Sequence, residues 1–100
     1  MTADQCGGLL RTIGSHENGP GQFSDADCIA VGGDGKVFIS DHDRPGIQVF
    51  DRHGSCVKRI HEGEEAGKGV AVDADGRVFV GCYPDSEVQM LEPVLLLPCL

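Results

Sequence analysis

The chain has 100 residues, with 8 Lys and Arg against 16 Asp and Glu, for a formal net charge of −8. That length holds at most one ordinary domain. The acidic balance disfavours a nucleic-acid surface, which must neutralise phosphates with cations. An apolar fraction of 40% excludes wholesale disorder, while 15 glycines, about twice ordinary usage, imply many tight turns.

The opening "MTADQCGG" has neither a basic n-region nor a sustained apolar stretch, so no secretory signal is expected and a cytoplasmic location is predicted. Residues 7–14, "GGLLRTIG", echo "GSCVKRIH" at 54–61 and are predicted to be the outer strand of a preceding unit, with 8–13 forming that separate strand or lying loose. "CIAV" and "KVFIS" then flank Asp34-Gly35, the pattern of a two-residue hairpin whose type I′ turn needs positive φ at both positions. "GIQVFD", from Gly46 to Asp51, reads as a third strand. A turn at His53-Gly54 leads to a fourth, Ser55 to Ile60. After a loop over 61–68 the phrase returns: "IAVGGDGKVFIS" (29–40) aligns with "VAVDADGRVFVG" (70–81) at an offset of 41 residues, with six of twelve positions identical. "EVQMLE" repeats "GIQVFD" at the same offset, with Gln48 and Gln89 in register.

A period near 41 with four short strands per unit describes propeller blades. No segment carries helical spacing with caps, and glycines interrupt every candidate. The chain therefore divides into 1–14, an outer strand; 15–61, a first repeat; 62–92, an incomplete second; and 93–100, an irregular apolar tail. That tail is far too short to span a bilayer. Ile29, Val31, Val37 and Ile39, with their repeats Val70, Val72, Val78 and Val80, are expected to form the core between the repeats.

The residues of the first repeat resemble an NHL repeat. Gly21, Phe23, Ile29 to Val31, Asp34-Gly35, Val37, Asp41, Ile47 to Asp51 and Gly54 carry the likeness. In the second copy it is carried by Val70 to Asp73, Asp75-Gly76, Val78 to Val80 and Val88-Gln89. The family's Asn and Arg before the third strand are replaced by Arg44 and Gly46, then by Asp85 and Glu87; Cys82 stands where an Asp is usual. The resemblance implies an all-β fold of about two four-stranded antiparallel NHL-type blades. Closed rings in this family have six, so it also implies an incomplete propeller, a piece of a larger protein. It further implies a protein–protein interaction module, as in the target-recognition domains of tripartite-motif ubiquitin ligases. No RING pattern of Cys and His is present, so the chain is not expected to be an enzyme or to need a cofactor. An RNA-binding propeller is the alternative that the resemblance allows and the acidic charge opposes. A metal-dependent peptidyl-hydroxyglycine lyase is a third; it would need a secretory signal and channel ligands that are not visible.

In such an architecture the connections at 15–25, 41–45, 61–68 and 82–87 emerge on one face. The candidate partner-binding residues are His16, Asp41, His42, Asp43, Arg44, His61, Glu62, Tyr83 and Asp85. The expected partner is a protein rather than nucleic acid or membrane, with self-association through uncovered blade faces as a second expectation. Histidines beside carboxylates suit a divalent metal, but these lie on separate loops without ligand spacing, and solvated polarity accounts for them. "DADG" at 73–76 opens like a calcium loop, yet Pro84 stands where the closing Glu is required. "GGDGK" at 32–36 is followed by no helix, so it is not a phosphate loop. The five cysteines form no C-x-x-C pair and read as small buried hydrophobes. Arg11, Lys58 and Arg59 read as charges guarding outer strands against edge pairing.

Overall fold

The computed structural model describes residues 7–17, 19–61, 69–82 and 87–94. Among them lie nine strands and no helix. Two short strands, β1 (Ser15–His16) and β2 (Gln22–Phe23), pair in parallel. The first sheet runs in chain order through β3 (Ala26–Val31), β4 (Val37–Asp41), β5 (Ile47–Phe50) and β6 (Cys56–Ile60), every pair antiparallel. The second has β7 (Gly69–Val72), β8 (Val78–Cys82) and β9 (Glu87–Leu91), also antiparallel. Residues 8–13 form no strand. They lie along the first sheet, where Arg11 donates to the His53 carbonyl and Ile13 packs near Phe23, Ile39 and Phe50.

The hairpins fall where Asp-Gly marks them, but their turns are not the two-residue type I′ expected. Gly35 N–H donates to the Gly32 carbonyl, Gly32 N–H donates to Lys36, and only Gly35 of the central pair has positive φ, at 89°. Asp34 stays on the ordinary side. The loop is therefore the longer kind, a four-residue turn closed by a left-handed glycine. Residues 73–77 repeat it bond for bond, with Gly76 at φ 85°. So does 51–55, with Gly54 at 87° and no Asp-Gly at all. The reason is local. A carboxylate at the first turn position, Asp51 or Asp73, accepts the amides two and four residues on: His53 and Ser55, or Asp75 and Arg77. That bonding favours the wider loop. In the first hairpin Gly32 holds that position, and Asp34 instead accepts from the Lys36 amide and ammonium.

The two sheets pack face to face. Phe38, Ile47 and Val49 of the first meet Val70, Val78 and Val80 of the second, with Val94 closing one side. Cys28, Ala30, Ile60, Val72 and Leu91 fill the margins. The expected core is thus half right. Val70, Val78 and Val80 are buried in the interface, and Val72 lies at its margin. Their counterparts in the first sheet point away from it. Ile29 and Val31 are 60% and 62% exposed, and Ile39 and Val37 join a separate cluster with Phe23, Phe50, Ile13 and Cys56. The physical reason is stacking geometry. Equivalent residues face the same way in both sheets, so only one copy of each phrase can look into the gap. The other wall comes from the opposite face, period two along the strand.

Gly35 lies in the left-handed region, and an added Cβ would meet the Arg52 Cβ at 2.9 Å. Gly35→Ala should therefore cost about 1–2 kcal/mol, with a melting midpoint falling about 4–8 °C per kcal/mol. Gly33→Ala, which adds a methyl into open space without positive φ, is the control. Equal thermal shifts for the two would contradict this account of the turn.

Candidate functional site

One end of the first sheet is organised around a buried carboxylate. Asp41 closes β4 with only 4% of its surface exposed. Its Oδ2 accepts the Ser24 amide at 2.8 Å, and its Oδ1 accepts the amides of Asp43 at 2.9 Å and Asp25 at 3.3 Å. The Arg44 guanidinium lies 3.4 Å from Oδ2 and donates to the Gln22 carbonyl at 2.6 Å. Burial pushes the Asp41 carboxyl upward. The three amides and the Arg44 charge outweigh it and hold the group below the usual carboxylate range.

A second polar side chain fastens the same segment from behind. Gln48 sits in the middle of β5, 3% exposed, and accepts the Gly21 amide at 2.7 Å while donating to the Gln22 carbonyl at 2.8 Å. Segment 21–25 is thus bound at Gly21 and Gln22 by Gln48, and at Ser24 and Asp25 by Asp41. His42 N–H donates to the Asp25 carbonyl at 2.8 Å, and the Ser24 hydroxyl to Asp43 Oδ2 at 2.9 Å. The result is a fixed rim formed by the 21–25 and 41–44 loops. His42, Asp43, Asp25 and Asp27 are exposed on or beside it.

Of the candidate residues, Asp41, His42, Asp43 and Arg44 are therefore brought together. His16 is exposed and adjoins the rim through the ladder, paired with Phe23 in the β1–β2 bridge. His61 takes a different place. It is half-buried with φ 59°, and its Nε2 lies 2.6 Å from Gln89 Oε1 on the second sheet. Glu62, Tyr83 and Asp85 lie outside the described residues.

Gln48, Ser24 and Gln22 belong to this end of the sheet but were not among the candidates. The signal for Gln48 was present in the chain: a glutamine interrupts an apolar run at the same offset in both repeats. Gln89 repeats the behaviour, since it too reaches back to the connection preceding its own sheet, at His61. Ser24 and Gln22 contribute backbone groups as well as side chains, which no residue pattern marks.

The buried carboxylate of the rim is engaged by three amides and an arginine, and among the described residues no three His, Cys, Asp or Glu are gathered as a metal site would need. A cleft of ≈ 350 Å³ lies at the other end, between the two Asp-Gly turns. Phe38, Val72, Pro93 and Val94 line it, with Asp34, Lys36 and Asp75 beside them. Compared with known proteins, the chain matches no family model and no curated protein.

Asp41→Asn should destabilise the fold by about 1–3 kcal/mol at neutral pH, the cost of leaving buried donors without their charged acceptor. A carboxyl held below its unfolded value contributes stability that is full above about 3.8 and lost as pH falls through the lower folded value. Urea titrations should therefore show wild type and Asp41→Asn converging as pH drops below about 3.8. A gap that stays constant with pH would show that the charge of Asp41 contributes nothing.

Proposed function

We propose that the chain is part of an NHL-type β-propeller that binds a protein partner through the rim around Asp41. The two sheets are read as neighbouring blades. Their face-to-face packing, with repeat-equivalent side chains pointing the same way, supports that reading. In a tripartite-motif ubiquitin ligase a propeller of this kind would select the target, and the catalytic part would lie elsewhere.

The observation that carries the binding role is the bonding of Asp41. One buried carboxylate joins two loops that are otherwise distant in sequence, which fixes the loop surface in advance of any contact. Preorganised loops bind with less ordering cost than mobile ones. Asp25, Asp27 and Asp43 make the exposed part of the rim acidic. The partner is accordingly a protein presenting Lys or Arg, and binding of this kind weakens with salt.

The test is quantitative retention of proteins by the immobilised chain at about 0.15 M salt, where bare phosphate contacts are strongly weakened. A specific partner should be lost at least tenfold when Asp25→Lys and Asp43→Lys are combined. It should be kept by Arg77→Glu at the opposite, turn end of the second sheet. Retention that ignores the rim substitutions would overturn the assignment. Sub-micromolar binding of single-stranded RNA by the wild-type chain would favour the nucleic-acid alternative instead.

A further inference from the structure

The two outward faces of the paired sheets are the two halves of the interface already present between them. Inside, the first sheet presents Ala30, Phe38, Ile47 and Val49, and the second presents Val70, Val72, Val78 and Val80. Outside, the second sheet presents Ala71, Phe79, Val88 and Met90, the 41-residue counterparts of the first group. The first sheet presents Ile29, Val31, Val37 and Ile39 on its outer side, the counterparts of the second group. Val88 and Met90 are 71% and 59% exposed, matching the openness of Ile29 and Val31. Contiguous exposed apolar side chains of this kind mark docking surfaces.

From this the geometry points to head-to-tail association of the chain with a second copy of itself. The outer face of β7–β9 in one molecule covers the outer face of β3–β4 in the next. The contact reproduces the internal one: Phe79, Val88 and Met90 take the places of Phe38, Ile47 and Val49, and Ile29 and Val31 those of Val70 and Val72. Ile13, Phe23 and Cys56 cluster with Ile39 and Phe50 on that outer side, leaving the portion around Ile29 and Val31 open. Because the two docking faces differ, the contact is heterologous, and it propagates until a ring closes or a filament continues. The formal charge of −8 per chain opposes it, so screening strengthens it. The rim around Asp41 takes no part, which keeps this association separable from partner binding.

Sedimentation velocity on the full chain tests this directly. Wild type should show a weight-average mass that rises with concentration beyond a dimer, and more strongly as salt rises from about 0.05 to 0.5 M. Ile29→Lys blocks one face and Met90→Lys the other, and each variant alone should sediment as a monomer. Mixed in equal amounts, they should form a dimer of about twice the monomer mass, through the one intact face of each. Circular dichroism verifies that both remain β. If either loses its sheet signal, Val31→Lys or Val88→Lys blocks the same face from another position. A wild-type monomer at all concentrations would overturn the proposal. So would a single-face variant that still dimerises, or a mixture that stays monomeric.

Discussion

The contact of Phe38, Ile47 and Val49 with Val70, Val78 and Val80 is the interaction on which the rest of the arrangement depends. Among the described residues the second sheet has no other layer, and the first has only the small cluster that Ile13 and Phe23 make with Ile39 and Phe50, while a sheet with an apolar face needs another element against it. Phe38, Val49, Val78 and Val80 are each no more than 2% exposed, so the interface is as dry as an ordinary domain core. Burying a side chain of this size is worth about 1.5–3 kcal/mol, and no other cluster among the described residues gathers as many. The edge strands β3 and β7 meet there as well. The Val70 amide lies 3.4 Å from the Cys28 sulfur, which makes that cysteine part of the seam.

Polar groups do a different job, and they do it at the ends of the strands. Asp41 and Gln48 are both buried, and both direct their bonds to the backbone of the segment that enters the first sheet. Hydrophobic contact alone would leave that segment free to slide, because apolar burial is not directional. Hydrogen bonds to named amides fix its register. Among the described residues no buried side-chain nitrogen or oxygen is left without a partner. The rigidity of the rim is therefore bought by a fully satisfied network, with Arg44 balancing the carboxylate.

Much of this was legible in the chain. The strand positions followed from alternation and from the turn residues, since both are local properties of the backbone. The 41-residue repeat announced two equivalent sheets, and Asp41 was among the candidates placed on the loop face. The turn conformations were less accessible. Asp-Gly suits a two-residue hairpin and the wider loop alike, and the choice was made by side-chain bonds such as Asp73 to the amides of Asp75 and Arg77. His61 likewise carried no sign of its neighbour. Its contact with Gln89 spans 28 residues and depends on how the second sheet lies against the first.

The amino-acid sequence by itself determined the all-β class, the strand order and the division into two related units, because each rests on the intrinsic preferences of short stretches. It could not determine which face of each sheet would be covered. Phe38 and Phe79 stand in the same phrase with the same neighbours, yet Phe38 is buried at 2% while Phe79 is partly exposed. Ile29 and Val70 differ in the same way, in the opposite sense. A repeated sequence gives repeated faces, and burial depends on which of them meets a neighbour. Only the tertiary packing decided that, because two stacked sheets make one contact between them and leave the equivalent positions on their outer sides, such as Ile29, Val31, Val88 and Met90, exposed.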